Sequence, residues 1–469
     1  MKNLVNNIVL IFIATAFTGC LNNNENIIKE IHIGLHNNNE LKIQLDVSTI
    51  QKAEVYAEYW PDSSNNDISK ASAVSKDGLS HLIVLFNIIP KTNYSYHIIT
   101  QQKGIKKVSP TYAFQSHALP MWLQDQFKYS CTYPNLLPSK FKEGLMLLNK
   151  KETPGIAYIT DYTGRLRWYH VIENTGLKVT HFTKDKTIIS ILGANDEPTS
   201  YGSEILEINL SGDTILHLKK GQGDFINTIH HEILKNDKNQ LVTIYEDKKV
   251  FDLSSVGGNK KDTVSSDGII VMDKNGKKIW QWSVFDVQDP IKDPNILKTK
   301  KDWTHANSLN YDKDSNYIIS FYNTGQIWKV DAQTGKLIWK YGKGGDIKIP
   351  ADGNFSESHA VHINAYGNLM FFDNGVEKLQ SQVFAVKINE QNKTAQADLH
   401  IKLPVAIYNA RMGSAYMVDE DNILCCCSKR HITVLVNRKG EVIWTLDTAV
   451  PPYRVEFLTK EQVSPWLQL

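Results

Sequence analysis

One short unit recurs along most of this chain, and it restricts the fold more than any other feature of the sequence. A strand, a turn centred on glycine and a second strand often ending in tryptophan run from Asp161 through Gly164 to Trp168. The unit returns from Asn209 through Gly212 to Leu216, from Asp273 through Gly276 to Trp280, from Asp331 through Gly335 to Trp339 and from Asn437 through Gly440 to Trp444. The interval from Gly335 to Gly440 is nearly twice the others, which predicts a degenerate copy within it. The stretch from Phe384 to Asn389, followed by Asn392, supplies one. Six hairpins at about 58 residues each match the four-stranded blades of a β-propeller. Helical periodicity is nearly absent and short alternating apolar runs recur throughout, so the chain reads as all-β.

A second register lies upstream of the hairpins. His230 to Asn239, His359 to Asn368 and Gly413 to Asn422 are each nine residues apart, and His305 to Asn316 is eleven. Aligned so, His230, His305 and His359 fall at equivalent positions of three blades. The segment comes first in its unit, which in a propeller makes it the innermost strand, so three imidazoles are expected to converge on the channel. Strand alternation lets only one of His230 and His231 face that channel, and the alignment favours His230.

Ahead of the repeats, residues 28–118 hold strand-like runs such as Ala53 to Trp60 and Leu82 to Phe86, and a Pro90-x-Thr92-x-Tyr94-x-Tyr96 stretch like that of fibronectin type III modules. A small fibronectin/Ig-like β-sandwich is expected there, followed by the propeller over 119–469. The chain opens with Lys2, an apolar run from Ile8 to Phe17 and then Gly19-Cys20, the pattern of a lipoprotein signal peptide over 1–19. Cys20 is the expected lipidation site and 20–27 a polar tether, which together imply an exported protein anchored in the cell envelope.

The 52 Lys and Arg and 50 Asp and Glu are interspersed, giving a net charge of +2 and no support for a nucleic-acid partner. Beyond Cys20 there are only Cys131 and the run Cys425 to Cys427, with no zinc-ribbon spacing. The triplet reads as strand filler, with a bridge to Cys131 left open.

Several stretches together resemble the nucleotide-independent aryl-sulfate sulfotransferases of bacteria: His230 to Ile233, Trp303 to Ser308, Thr334 to Gly342, Ser358-His359-Ala360 and Phe372 to Gly375. The resemblance covers roughly residues 120–469. It implies a six-bladed propeller that moves a sulfuryl group from a phenolic sulfate ester to a phenol through a sulfo-histidine, without a cofactor. His359 matches the nucleophile. His305, Asn307 and one of His230 and His231 match residues lining the sulfate pocket, and Thr304 is counted with the substrate-binding residues. His305 or His230 is the expected proton-transfer partner.

The chain departs from the family in one respect. Ser320 to Asn323 stand where an arginine is usual, and Arg411 is the expected replacement cation. Two rival readings remain at this level: three histidines holding zinc, and a non-catalytic propeller binding a glycan or protein. The expected partners are a phenolic sulfate, a phenol, the membrane through the lipid and a second copy of the chain.

Overall fold

The computed structural model describes residues 27–63, 70–198, 200–464 and 467. The leader, Cys20 and the tether up to residue 26 lie outside the described residues. None of the described helices is long and apolar enough to cross a membrane.

Six antiparallel units follow one another around a central channel among the described residues, four of four strands and two of five, one of the latter extended by the short strand Tyr201–Gly202 against Ile229–Lys235 and the other by Phe127–Cys131. Their innermost strands are Val455–Leu458, Gly176–Phe182, Ile229–Lys235, Ala306–Tyr311, Ser358–Ile363 and Ser414–Met417, taken here as blades 1 to 6, and neighbouring inner strands touch. The ring closes twice. The last strand, Val455–Leu458, pairs with Leu145–Lys150 as the inner edge of blade 1, and Phe127–Cys131 pairs with Val442–Thr448 as the outer edge of blade 6.

The predicted hairpins form the outer strands of the blades. Each needs a residue in the left-handed region at its turn, which is why glycine recurs. Gly164, Gly212, Gly276, Gly335 and Gly440 have φ of 74°, 101°, 80°, 70° and 81°. The degenerate copy, Gln382–Asn389 paired with Thr394–Lys402, turns through Lys393 at φ 51° instead. The repeated tryptophans pack between blades, with the Trp168 and Trp444 indoles donating to the carbonyls of Leu210 and Tyr162. Cys131, Cys425, Cys426 and Cys427 are all free thiols, and the triplet fills the apolar interior of blade 6 and its junctions with the neighbouring blades.

The N-terminal residues form seven strands threaded through one long strand, Asn39–Pro61. Its first half pairs with Ile28–His36 and Ser75–Leu85 and its second half with Asn93–Gln102, so both halves close over one apolar cluster. This unit is tied to the propeller by Asn39 Nδ2 to the Tyr169 carbonyl at 2.9 Å, Lys42 Nζ to the Ser211 carbonyl at 3.0 Å and Arg167 Nε to Asn87 Oδ1 at 2.6 Å.

Candidate active site

Counting back from the last ladder pair of each inner strand fixes which side chains share a level in the channel. Those pairs end at Leu458, Phe182, Lys235, Tyr311, Ile363 and Met417. Four residues upstream stand Arg454, Lys178, His231, Asn307, His359 and Gly413, one per blade. The sequence register is therefore corrected by one residue in blade 3 and two in blade 4: His231, not His230, is the partner of His359, and Asn307, not His305, holds blade 4's place. The ladder slips at this level in blades 2 to 5, and positive φ at His231 (62°), His305 (51°) and Ala360 (51°) marks the bulged backbone of blades 3 to 5. Such bulges re-aim side chains, which is how successive polar residues come to face one axis.

His359 is buried and its Nδ1 has no hydrogen-bond partner among the described residues. Burial, with the charges of Arg454 and His305, pushes its pKa down to about 3. It is neutral at physiological pH and keeps a lone pair for attack. His305 is different: its side chain is 28% exposed, and its Nδ1 lies 2.6 Å from Asp302 Oδ2. Burial lowers its pKa, but the Asp302 carboxylate more than compensates and the net shift is upward. The two imidazoles are thus set apart, one as a neutral nucleophile and one able to carry a proton. Tyr322 stands nearly edge-on to both, its ring centroid 5.5 Å from His305 and 5.8 Å from His359.

His231 lies 5.1 Å from His305 ring to ring, and burial with the charges of its neighbours holds its pKa well below the usual value. His230 points away from the ring. It is fully buried, stacks on Tyr201 at 4.5 Å, has Nε2 3.2 Å from Asp267 Oδ1 and shares a 2.8 Å Nδ1 to Nδ1 contact with His231. Thr304 is likewise a correction: its hydroxyl donates to Asp267, so it braces that carboxylate instead of lining the pocket. Asp267 also accepts from the Ala306 backbone at 2.8 Å. Asn307 is buried, its Oδ1 accepts from Ser320 at 2.6 Å, and its Nδ2 is left without a partner among the described residues.

The cation is Arg454, which sequence reasoning missed. Its guanidinium crosses the channel from blade 1, with Nη1 2.5 Å from Glu232 Oε2 and Nη2 2.7 Å from the Asn307 carbonyl, leaving a buried Nε unpartnered among the described residues. Arg411, the expected replacement, is exposed, and its charge bears on Tyr322. Arg454 also lines a cavity of about 310 Å³, together with His181, Glu232, His362, Tyr416 and Glu456 among others. Among the described residues no group of three or more His, Cys, Asp or Glu is placed to hold a metal.

Arg454 is held by an ion network. Glu232 also accepts from His181, whose Nδ1 is 3.5 Å from Glu456 Oε2. Burial lowers the His181 pKa, but the two carboxylates overcome it and push it up to about 9. That value lies above the ordinary histidine value, so the stabilisation is complete below about pH 6.5 and is lost as pH rises through 9. Thermal melts are expected to show Tm falling by a few degrees across that window, with the slope abolished in His181→Phe.

A family model described as Arylsulfotransferase (ASST) matches residues 133–434. The chain belongs to the arylsulfotransferase family. The match takes in five of the six inner strands and stops before Arg454. No functionally curated protein matches the chain. Among solved structures, this arylsulfotransferase-family chain is similar to a protein of unknown function from Bacteroides caccae (10% identity, 67% of this chain and 99% of that one, TM-score 0.43). It is also similar to the β-propeller domain of Cps50 (Swd1) from Myceliophteria thermophila (10% identity, 69% and 90%, TM-score 0.40).

Proposed function

We propose that this protein transfers a sulfuryl group from a phenolic sulfate ester to a phenolic acceptor through a sulfo-His359 intermediate. The observation that carries the reading is the ring itself: a neutral, buried imidazole shares its channel level with Asn307 and Arg454, whose Nδ2 and Nε are donors without a partner among the described residues, and it feels the charge of a protonatable His305. In the first step a His359 ring nitrogen attacks sulfur, the bond from sulfur to the aryl oxygen breaks, and His305 gives its proton to the departing phenolate. In the second, the acceptor phenol gives its proton to His305 while its oxygen takes the sulfuryl group, restoring His359. Arg454 and Asn307 donate to the equatorial oxygens, where negative charge gathers. Tyr322 offers a ring against which the aryl group can lie.

The finer readings belong to the same proposal: a fibronectin-like form for the N-terminal unit, export with lipid attachment at Cys20, and a second copy of the chain as partner. The test is release of coloured phenolate from a nitrophenyl sulfate with and without added phenol. Acceptor-dependent release is expected, and its absence over a panel of aryl sulfates would overturn the reading.

The corrected register makes a separate prediction. His231→Gln is expected to lower kcat by about 10²-fold or more through loss of a ring-level donor beside His305, with a stability cost similar to that of His230→Gln because the 2.8 Å contact between the two imidazoles is lost in either variant. His230→Gln, which strips the buried Asp267 of a partner, is expected to cost about 1–3 kcal/mol of stability. Steady-state kinetics distinguish the roles, and thermal melts on both variants check the stability cost.

A further inference from the structure

Two buried ammonium groups beside the ring take no part in the transfer described above. Lys178 holds the ring position of blade 2 and is 4% exposed, with Nζ 2.7 Å from the Ala194 carbonyl. Lys151, just beyond strand Leu145–Lys150, is 7% exposed and aims Nζ at the Met412 thioether sulfur, 3.1 Å away. A thioether is a weak acceptor, and neither lysine forms an ion pair among the described residues. The half-buried Glu197 and the exposed Glu152 and Asp196 are the carboxylates whose charges reach them, none within ion-pair distance, while Lys151 also feels Lys178, Lys429 and the buried Cys426.

Lys151 is one side chain from the ring. Met412 packs in the same cluster as Tyr453 and Val179, and its carbonyl accepts from Asn374 at 2.9 Å, the side chain that also bears on His359. Burying an ammonium ion without a directly paired anion is unfavourable, and the charge of Lys178 makes it more so for Lys151. The balance is restored when a ligand brings the negative charge.

We propose that Lys151 and Lys178 form a second anion seat in the channel, so that the favoured substrates are aryl sulfates carrying a further oxyanion, such as a ring carboxylate, besides the sulfuryl group transferred. This rests on the sulfuryl-transfer reading. The seat lies on the side of blades 1, 2 and 6, across the channel from Asn307, so an aryl group spanning the ring would present one anion to each wall.

The test compares kcat/KM of the full-length protein for nitrophenyl sulfate and for the same ester bearing a ring carboxylate. The carboxylated donor is expected to be preferred, and Lys151→Met to reduce that preference by about tenfold or more, with Lys151→Arg recovering most of it. Lys178→Met, read the same way, covers the case in which one variant fails to fold. Turnover of both donors with a preference unmoved by either substitution would overturn the seat while leaving the transfer reading intact. No turnover of either donor by the unmodified protein would overturn the transfer reading, and the seat with it.

Discussion

Replacing His359 by Ala is expected to abolish acceptor-dependent phenolate release, by about 10³-fold or more in kcat. The size of the effect follows from position. Among the channel histidines, His359 combines burial, a pKa of about 3 and a ring nitrogen without a partner among the described residues. Its neighbours are each engaged through one ring nitrogen, His305 Nδ1 with Asp302, His231 Nδ1 with His230 and His230 Nε2 beside Asp267. The variant should fold, because His359 makes no ion pair whose loss would strand a charge. Parallel melts of the two proteins check this, and a His359→Ala protein that retains acceptor-dependent turnover would remove the nucleophile from its assigned place.

Arg454→Met is expected to act on activity and stability together. Burial would disfavour its charge, but Glu232 outweighs that and holds the guanidinium protonated. Glu232 itself is pushed up by burial and then down to about 2 by Arg454 and His181. Removing one partner leaves a buried carboxylate underpaired, at a cost of about 3–5 kcal/mol. Loss of a donor to the transferred group should lower kcat by about 10²–10³-fold. The two effects can be separated: adding Glu232→Gln removes the stranded charge and should recover much of the lost Tm, but none of the lost kcat. Recovery of both together would mean that Arg454 is only a structural strut.

The six blades were legible because each outer hairpin needs a left-handed turn residue, and glycine marks five of the six. The degenerate copy was found only through the spacing, since Lys393 accepts the same conformation without announcing it. The ring was half legible. His359 stands where the alignment put it, but anchoring the register on asparagines shifted blades 3 and 4. Asn239 has the left-handed φ of 57° that belongs to Ser315 and Gly367 in the next blades, whereas Asn316 and Asn368 come one residue later. The usable signal was the turn's opening residue, since Asn236, Asp312 and Asn364 each accept from the backbone N–H four residues on. Aligned on those, His231, Asn307 and His359 fall together at once.

Arg454 had no comparable signal. It precedes the strand that closes the ring on blade 1, beyond the last hairpin, so no repeat aligned it with the others. Lys178 carries no marker either, since the turn after it runs from Thr183 to Thr187 and holds neither Asn nor Gly. Arg411 drew attention by being close in sequence to Gly413, yet its charge stands in solvent while Arg454 crosses the channel.

The most direct measurement is intact and peptide mass spectrometry of the full-length protein quenched in base after brief exposure to nitrophenyl sulfate without a phenol. The expected result is a gain of one sulfuryl group on the peptide containing His359, absent in His359→Ala and discharged when phenol is added before the quench. Acceptor-dependent turnover with no such adduct, or with the adduct on another residue, would contradict the assignment.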